Sequence, residues 1–132
     1  MKKNIATLIT MLVFGMIAGG AVVYHHVVPS QEEYQVIKNM ASVAADAEAF
    51  KHREGVYPPW FYRVTISEQD LINPFTSEPT NVTPIGASKP GEIQFRGQPG
   101  GRNYFVFGIG RRGQVLPITF TNPEQQKELA SN

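Results

Sequence analysis

The sequence predicts an α+β fold in which a long N-terminal membrane-spanning helix packs on a small antiparallel β-meander. Three observations carry this expectation. An uncharged, largely apolar stretch runs from Asn4 to Gln31, an apolar repeat at three- to four-residue steps follows it to Phe50, and beyond Pro90 the pattern becomes an alternation interrupted by glycines.

The apolar run from Ile5 to Val23, continued by Val27 and Val28, approaches the roughly 20 residues that a helix needs to cross a bilayer core. Lys2 and Lys3 precede it and Glu32 and Glu33 follow it, so the positive-inside rule keeps the N-terminus in the cytoplasm. Residues 1–3 then form the cytoplasmic end and residues 4–28 a transmembrane helix, with Tyr24, His25 and His26 near the outer interface. A cleaved signal peptide is the alternative: Lys2 and Lys3 suit its charged region, Ile5 to Ile17 its apolar region, and Ala18, Gly19 and Gly20 its cleavage site. Apolar residues resume directly after Gly20, which favours an uncleaved anchor. Both readings export the rest of the chain. Gly15 and Gly19 form a G-x-x-x-G pair at which two membrane helices could approach closely, with chance placement in a glycine-rich segment as the plain alternative.

Residues 29–55 continue the helix outside the membrane. Tyr34, Ile37, Met40 or Ala41, Ala44, Ala47 and Phe50 share one stripe, which is the expected core contact, while Glu33, Lys38, Asp46, Glu48 and Lys51 mostly face away from it. Ser30 can cap the start, Gly55 stops the helix, and Pro58 and Pro59 forbid its continuation. With Pro29 between them, the anchor and this section could form a single rod. Residues 56–90 hold six prolines, from Pro58 to Pro90, in a stretch of little periodicity, which reads as a long variable loop with at most a break of helix around Asp70 to Ile72. Residues 91–121 form the sheet. Ile93 and Phe95, then Tyr104 (or Phe105) and Val106 (or Phe107), then Val115, Ile118 and Phe120 face its core, separated by Gly97 to Gly101 and by Gly108 to Gly113. Residues 122–132 form a polar, exposed tail.

Composition narrows the function. The 132 residues leave room for one domain beyond the anchor, and 12 Lys+Arg against 11 Asp+Glu give a net charge of +1, too balanced to suggest a nucleic-acid partner. The absence of cysteine excludes disulfides, thiolate metal sites and lipoprotein acylation. Gly108, Gly110 and Gly113 spell G-x-G-x-x-G, but a strand pattern rather than a helix follows them, so they read as a hairpin turn. His25 and His26 are adjacent and on a helix would diverge by about 100°. Glu68 and Asp70 lie on the loop, where solvation is the plainer reading. No catalytic, cofactor-binding or metal-binding residues and no small-molecule substrate are expected.

The chain resembles type IV pilin-like proteins, most closely the major pseudopilins of type II secretion systems. The resemblance rests on Val27-Val28-Pro29, on Ala44 to Pro58 with its Gly55-Val56-Tyr57-Pro58 ending, on Asn73-Pro74-Phe75, and on Gly91 to Phe95 with Tyr104 to Gly113. It implies a pilin-like fold in which Pro29, Gly55, Tyr57, Pro58, Asn73, Pro74, Gly91, Gly108 and Gly113 are structural motif positions. It also implies a single-pass protein of the bacterial inner membrane whose C-terminal domain is periplasmic or extracellular. The implied function is that of a non-catalytic subunit of a pilus-like or secretion-type envelope assembly, associating with itself or with other pilin-like subunits through the N-terminal helix. The N-terminal processing motif is degenerate, since Thr7 and Leu12 stand where the family has its cleavage glycine and early glutamate. The segment from Gln114 to Pro123 lacks carboxylates, so the calcium site of the secretion pseudopilins is not expected. A stand-alone anchored binding module using the Pro-rich loop is the alternative.

Overall fold

The computed structural model of the chain describes residues 21–24, 29–59 and 71–124. The one α-helix among them, α1, spans Gln31–Glu54. At its start the Ser30 hydroxyl accepts the Glu33 N–H at 3.2 Å and the Glu33 carboxylate accepts the Ser30 N–H at 3.2 Å, so two of the helix's unpaired donors satisfy one another's residues. At its end Gly55 takes the left-handed conformation (φ 81°) and donates its N–H to the Lys51 carbonyl, and Pro58 and Pro59 follow. Glu32 and Glu33 in the first turn and Lys51, His52 and Arg53 in the last complement the helix dipole.

The strands in chain order are β1 (Ala21–Tyr24), β2 (Val82–Thr83), β3 (Ile93–Gly97), β4 (Tyr104–Gly108) and β5 (Ile118–Thr121). The β3–β4 and β4–β5 pairs are antiparallel, β2 lies parallel to β3, and β1 adds antiparallel to the far side of β5, giving the order β1-β5-β4-β3-β2. Alternate residues of β3, β4 and β5 point at α1: Ile93, Phe95, Tyr104, Val106, Ile118 and Phe120 are all buried. From the helix side they meet Val36, Ile37, Met40, Val43, Ala44 and Ala47. Gly108 makes the close approach possible, since a β-carbon there would run into the Val36 and Met40 side chains.

Several expectations change. Ala21–Tyr24, expected in the last turns of the membrane helix, are extended and paired Ala21↔Thr121 to Tyr24↔Ile118, so these residues and α1 are not one rod. Val22, Val23 and Tyr24 are residue types that favour strands, and Gly19 and Gly20 before them weaken any helix. No helix among the described residues is long and apolar enough to cross a membrane; the rest of the expected span, residues 4–20 and 25–28, lies outside them. The core stripe is also broader than expected. Tyr34 and Phe50 are only half-buried, whereas Val36, Asn39, Ala41 and Val43 join Ile37, Met40, Ala44 and Ala47 in burial. At 100° per residue these positions cover about 200° of the helix. Part of that arc faces the sheet; Asn39 instead donates to the Ile72 carbonyl at 3.0 Å and to Thr80 Oγ1 at 3.4 Å, under the segment that follows residue 70.

That segment carries more structure than a plain loop. Ile72 bridges Pro79 rather than ending a helical break, and β2 makes the sheet mixed instead of a pure antiparallel meander. Val115, expected in the last strand, is 58% exposed and bridges Ile109, since β5 begins only at Ile118. The tail is not exposed from its first residue: Asn122 is buried and donates from its side chain to the Arg102 carbonyl at 3.1 Å.

Candidate functional site

Three polar knots fix α1, the segment after residue 70 and the sheet to one another. Near the C-terminal end of α1, the Glu48 carboxylate accepts the Tyr104 hydroxyl at 3.0 Å and the Tyr57 hydroxyl at 3.2 and 3.3 Å. The two phenol rings meet at 4.9 Å, Tyr104 stacks on Phe95 at 5.7 Å, and Lys51 Nζ lies 4.6 Å from the Tyr57 ring centre. Tyr57 is further held by its N–H on the Gly101 carbonyl at 3.0 Å. Glu48, expected to face away from the core, therefore points at it. Burial, then the Glu48 charge, then the hydrogen bond to Glu48 push both phenols above their ordinary range, so they remain neutral donors at physiological pH.

The second knot closes the segment after residue 70. Asn73 donates from its side chain to the Pro90 carbonyl at 2.8 Å and accepts the Phe75 N–H at 2.9 Å. Gly91 sits against this amide with φ 83°, and a β-carbon there would overlap the Asn73 side chain, so two reasons demand glycine. The third knot lies at the N-terminal end of α1. Gln114 Nε2 donates to Glu33 Oε2 at 3.0 Å, and Arg111 pairs with Glu32 at 3.1 Å on the surface, with its guanidinium 5.9 Å from the Phe75 ring. Gly108, Gly110 and Gly113 form the turn that holds Gln114: Gly113 donates to Gly110 at 3.0 Å, Leu116 to Gly108 at 2.8 Å, and the chain continues into β5 rather than a helix.

Asp46 on α1 is raised above the ordinary carboxylate range by burial, partly offset by the Arg53 charge. No group of three metal-ligating side chains occurs among the described residues. The outer face of the sheet carries Gln94, Arg96, Phe105 and Phe107, the two rings 6.1 Å apart. Beside it, an open groove of about 510 Å³ is lined by Pro84, Ile85, Gln94, Arg96, Gly97 and Pro99.

Comparison with protein families, curated proteins and solved structures finds no match. The geometry alone therefore ranks the expected positions. Tyr57 belongs to the first knot, with Pro58 buried beside it; Asn73 and Gly91 meet in the second, with Pro74 next in the chain and half-buried, and Gly108 and Gly113 frame the third. Pro29 is buried before the helix cap and Gly55 ends the helix. Gly15 and Gly19 lie outside the described residues. Sequence reasoning missed Glu48, Asn39 and Gln114. The bonds by which they tie α1 to the rest of the domain reach partners 9 to 81 residues away, so no local pattern signals them.

Proposed function

We propose that the chain is a non-catalytic structural subunit of a type IV pilus-like or type II secretion-like envelope assembly. On this reading the apolar N-terminal segment anchors it in the inner membrane and packs against neighbouring subunits, and the exported α+β domain forms the outer surface. The observation that carries the reading is the rigid mounting of α1, which is capped at both ends, seated over Gly108 and locked to the sheet through Glu48. A force on the N-terminal segment would enter the sheet at Ala21–Tyr24, and α1 is fixed to that same sheet. The order of parts supports it too: apolar segment, helix ending at Gly55-Val56-Tyr57-Pro58, Asn73-Pro74 knot, then glycine-turned strands. The chemistry agrees, because the buried phenols are held neutral and donate only to Glu48.

Replacing both Gly15 and Gly19 by Leu tests the packing. Crosslinked oligomers present in membranes of the wild type should be lost, with the exported domain still folded. Unchanged crosslinking removes this helix contact from the proposal. A second reading, an exported binding module, is favoured by the strand at Ala21–Tyr24, which separates the apolar segment from α1. It gains if the wild type forms no oligomers even with other pilin-like subunits co-expressed.

A further inference from the structure

We propose that the end of the domain formed by the C-terminal end of α1 and the β3–β4 turn lies against the membrane, where its cations contact anionic phospholipid headgroups. This rests on the anchored reading given above. It turns the domain end for end relative to the single rod expected from the sequence, in which the start of α1 would be nearest the bilayer.

The strand register locates the point where the apolar run joins the domain. Ala21 pairs with Thr121, Thr121 with Phe105 and Phe105 with Arg96, so these residues form one row across the sheet. In the direction from which the chain enters β1 lie Asn122, Tyr104 and Gly97, and then the turn from Gln98 to Asn103. Tyr24 pairs with Ile118 at the opposite end, and only His25 to Val28 separate it from Pro29, which precedes the cap of α1.

α1 therefore runs back along the sheet. Gly108 sits under Val36 and Met40, whereas Glu48 accepts the Tyr104 hydroxyl and Tyr57 donates to the Gly101 carbonyl. The apolar run and the C-terminal end of α1 thus share one end of the domain. The start of α1, about 36 Å away by helical rise, is at the other.

The end that the apolar run enters has a surface suited to headgroups. Arg53 and Arg102 are exposed and Lys51 is half-buried, with the exposed Arg96 one strand pair behind them; Glu54 and Glu124 are the exposed carboxylates here among the described residues. Val56, 46% exposed, and Pro99 line an open groove of about 440 Å³ between the helix end and the turn. Each Lys or Arg held near an anionic bilayer strengthens attachment roughly fivefold. Their aliphatic stems lie along apolar surface while the charged heads reach the phosphates. At the opposite end Lys89, Arg111 and Arg112 are matched in number by Glu32, Glu33 and Glu92.

The chain has no cysteine, so a single introduced one can carry a fluorophore. Gln98→Cys and Arg112→Cys place it at exposed positions on the two ends. The labelled full-length proteins are reconstituted in vesicles of equal parts phosphatidylglycerol and phosphatidylethanolamine that include a lipid spin-labelled on its headgroup. The Gln98 label should be quenched about threefold more than the Arg112 label, and adding Arg53→Glu and Arg102→Glu should reduce that ratio about twofold. Equal quenching, or stronger quenching at Arg112, in protein that floats with the vesicles overturns the proposal and leaves the anchor in place. A ratio unchanged by the double replacement likewise overturns the headgroup contact. Protein that does not float with the vesicles overturns the anchored reading and this proposal with it.

Discussion

Glu33 and Glu48 lie on the same helix, and each ties it to the sheet, but their settings differ. Glu33 accepts from the Ser30 backbone and from the Gln114 side chain at the surface, beside the exposed Glu32–Arg111 pair. Glu48 accepts from two phenols, and Tyr104 is fully buried. Water can replace the first set of partners when the side chain is removed. It cannot reach the Tyr104 hydroxyl, so removal of Glu48 leaves a buried donor unsatisfied. One end of α1 is held by contacts that mainly set register, the other by contacts that carry stability.

The largest effect that could break this comparison is at Glu48. Glu48→Ala should cost about 2–4 kcal/mol in urea titration, because a charge-assisted pair of bonds disappears and a buried phenol is stranded. Tyr104→Phe should cost much less in the Glu48→Ala background than in the wild type, with a coupling of about 1.5–3 kcal/mol. Additive losses would show that the two side chains do not act as a unit.

The same knot predicts an alkaline limit. The folded state holds the phenol protons of Tyr57 and Tyr104 more tightly than the unfolded state does, since burial and the Glu48 charge raise both above the ordinary phenol value of about 10. Above that value the unfolded chain binds fewer protons, so stability should fall as pH rises past about 10 and be flat in this respect below it. Tyr104→Phe should make the fall shallower; an unchanged slope between pH 10 and 12 would show that the phenols are not the cause.

At the other end, Glu33→Ala should cost about 1 kcal/mol or less, the range of a helix cap and an exposed polar contact. A loss equal to that at Glu48 would erase the distinction. The smallest effect should be at Asp46, whose carboxyl is raised by burial. The folded state binds its proton more tightly, so this group lowers stability as pH rises through and above 3.8. Asp46→Asn should therefore be slightly stabilising at pH 7, by an amount that solvent screening keeps small, and the advantage should vanish below pH 3.8. A destabilised variant at neutral pH would mean that the Arg53 attraction outweighs burial.

The parts legible in the sequence were those fixed by local chemistry. Ser30 and Gly55 bound α1, and Ile93 and Phe95 face inward. The choice between Tyr104 and Phe105 stayed open because both registers of an aromatic run alternate equally well; Gly108 under Met40 decides for Tyr104 and Val106. The width of the buried helix face was not legible, since Val36, Asn39 and Val43 acquire cover partly from residues more than thirty positions away. Glu48 looked like a solvated charge for the same reason. Ala21–Tyr24 read as helix because an apolar run has no period to separate strand from helix.

The proposed subunit role requires that the apolar segment stay on the chain. With Ala21–Tyr24 in the sheet, residues 4–20 remain for a span, and as a helix they would measure about 26 Å, at the short end of what crosses a bilayer. Intact mass of the protein extracted from membranes decides the point. The account predicts a chain that retains residues 1–20; a mature chain beginning near Ala21 would contradict it, because the anchor through which subunits are proposed to pack would be gone.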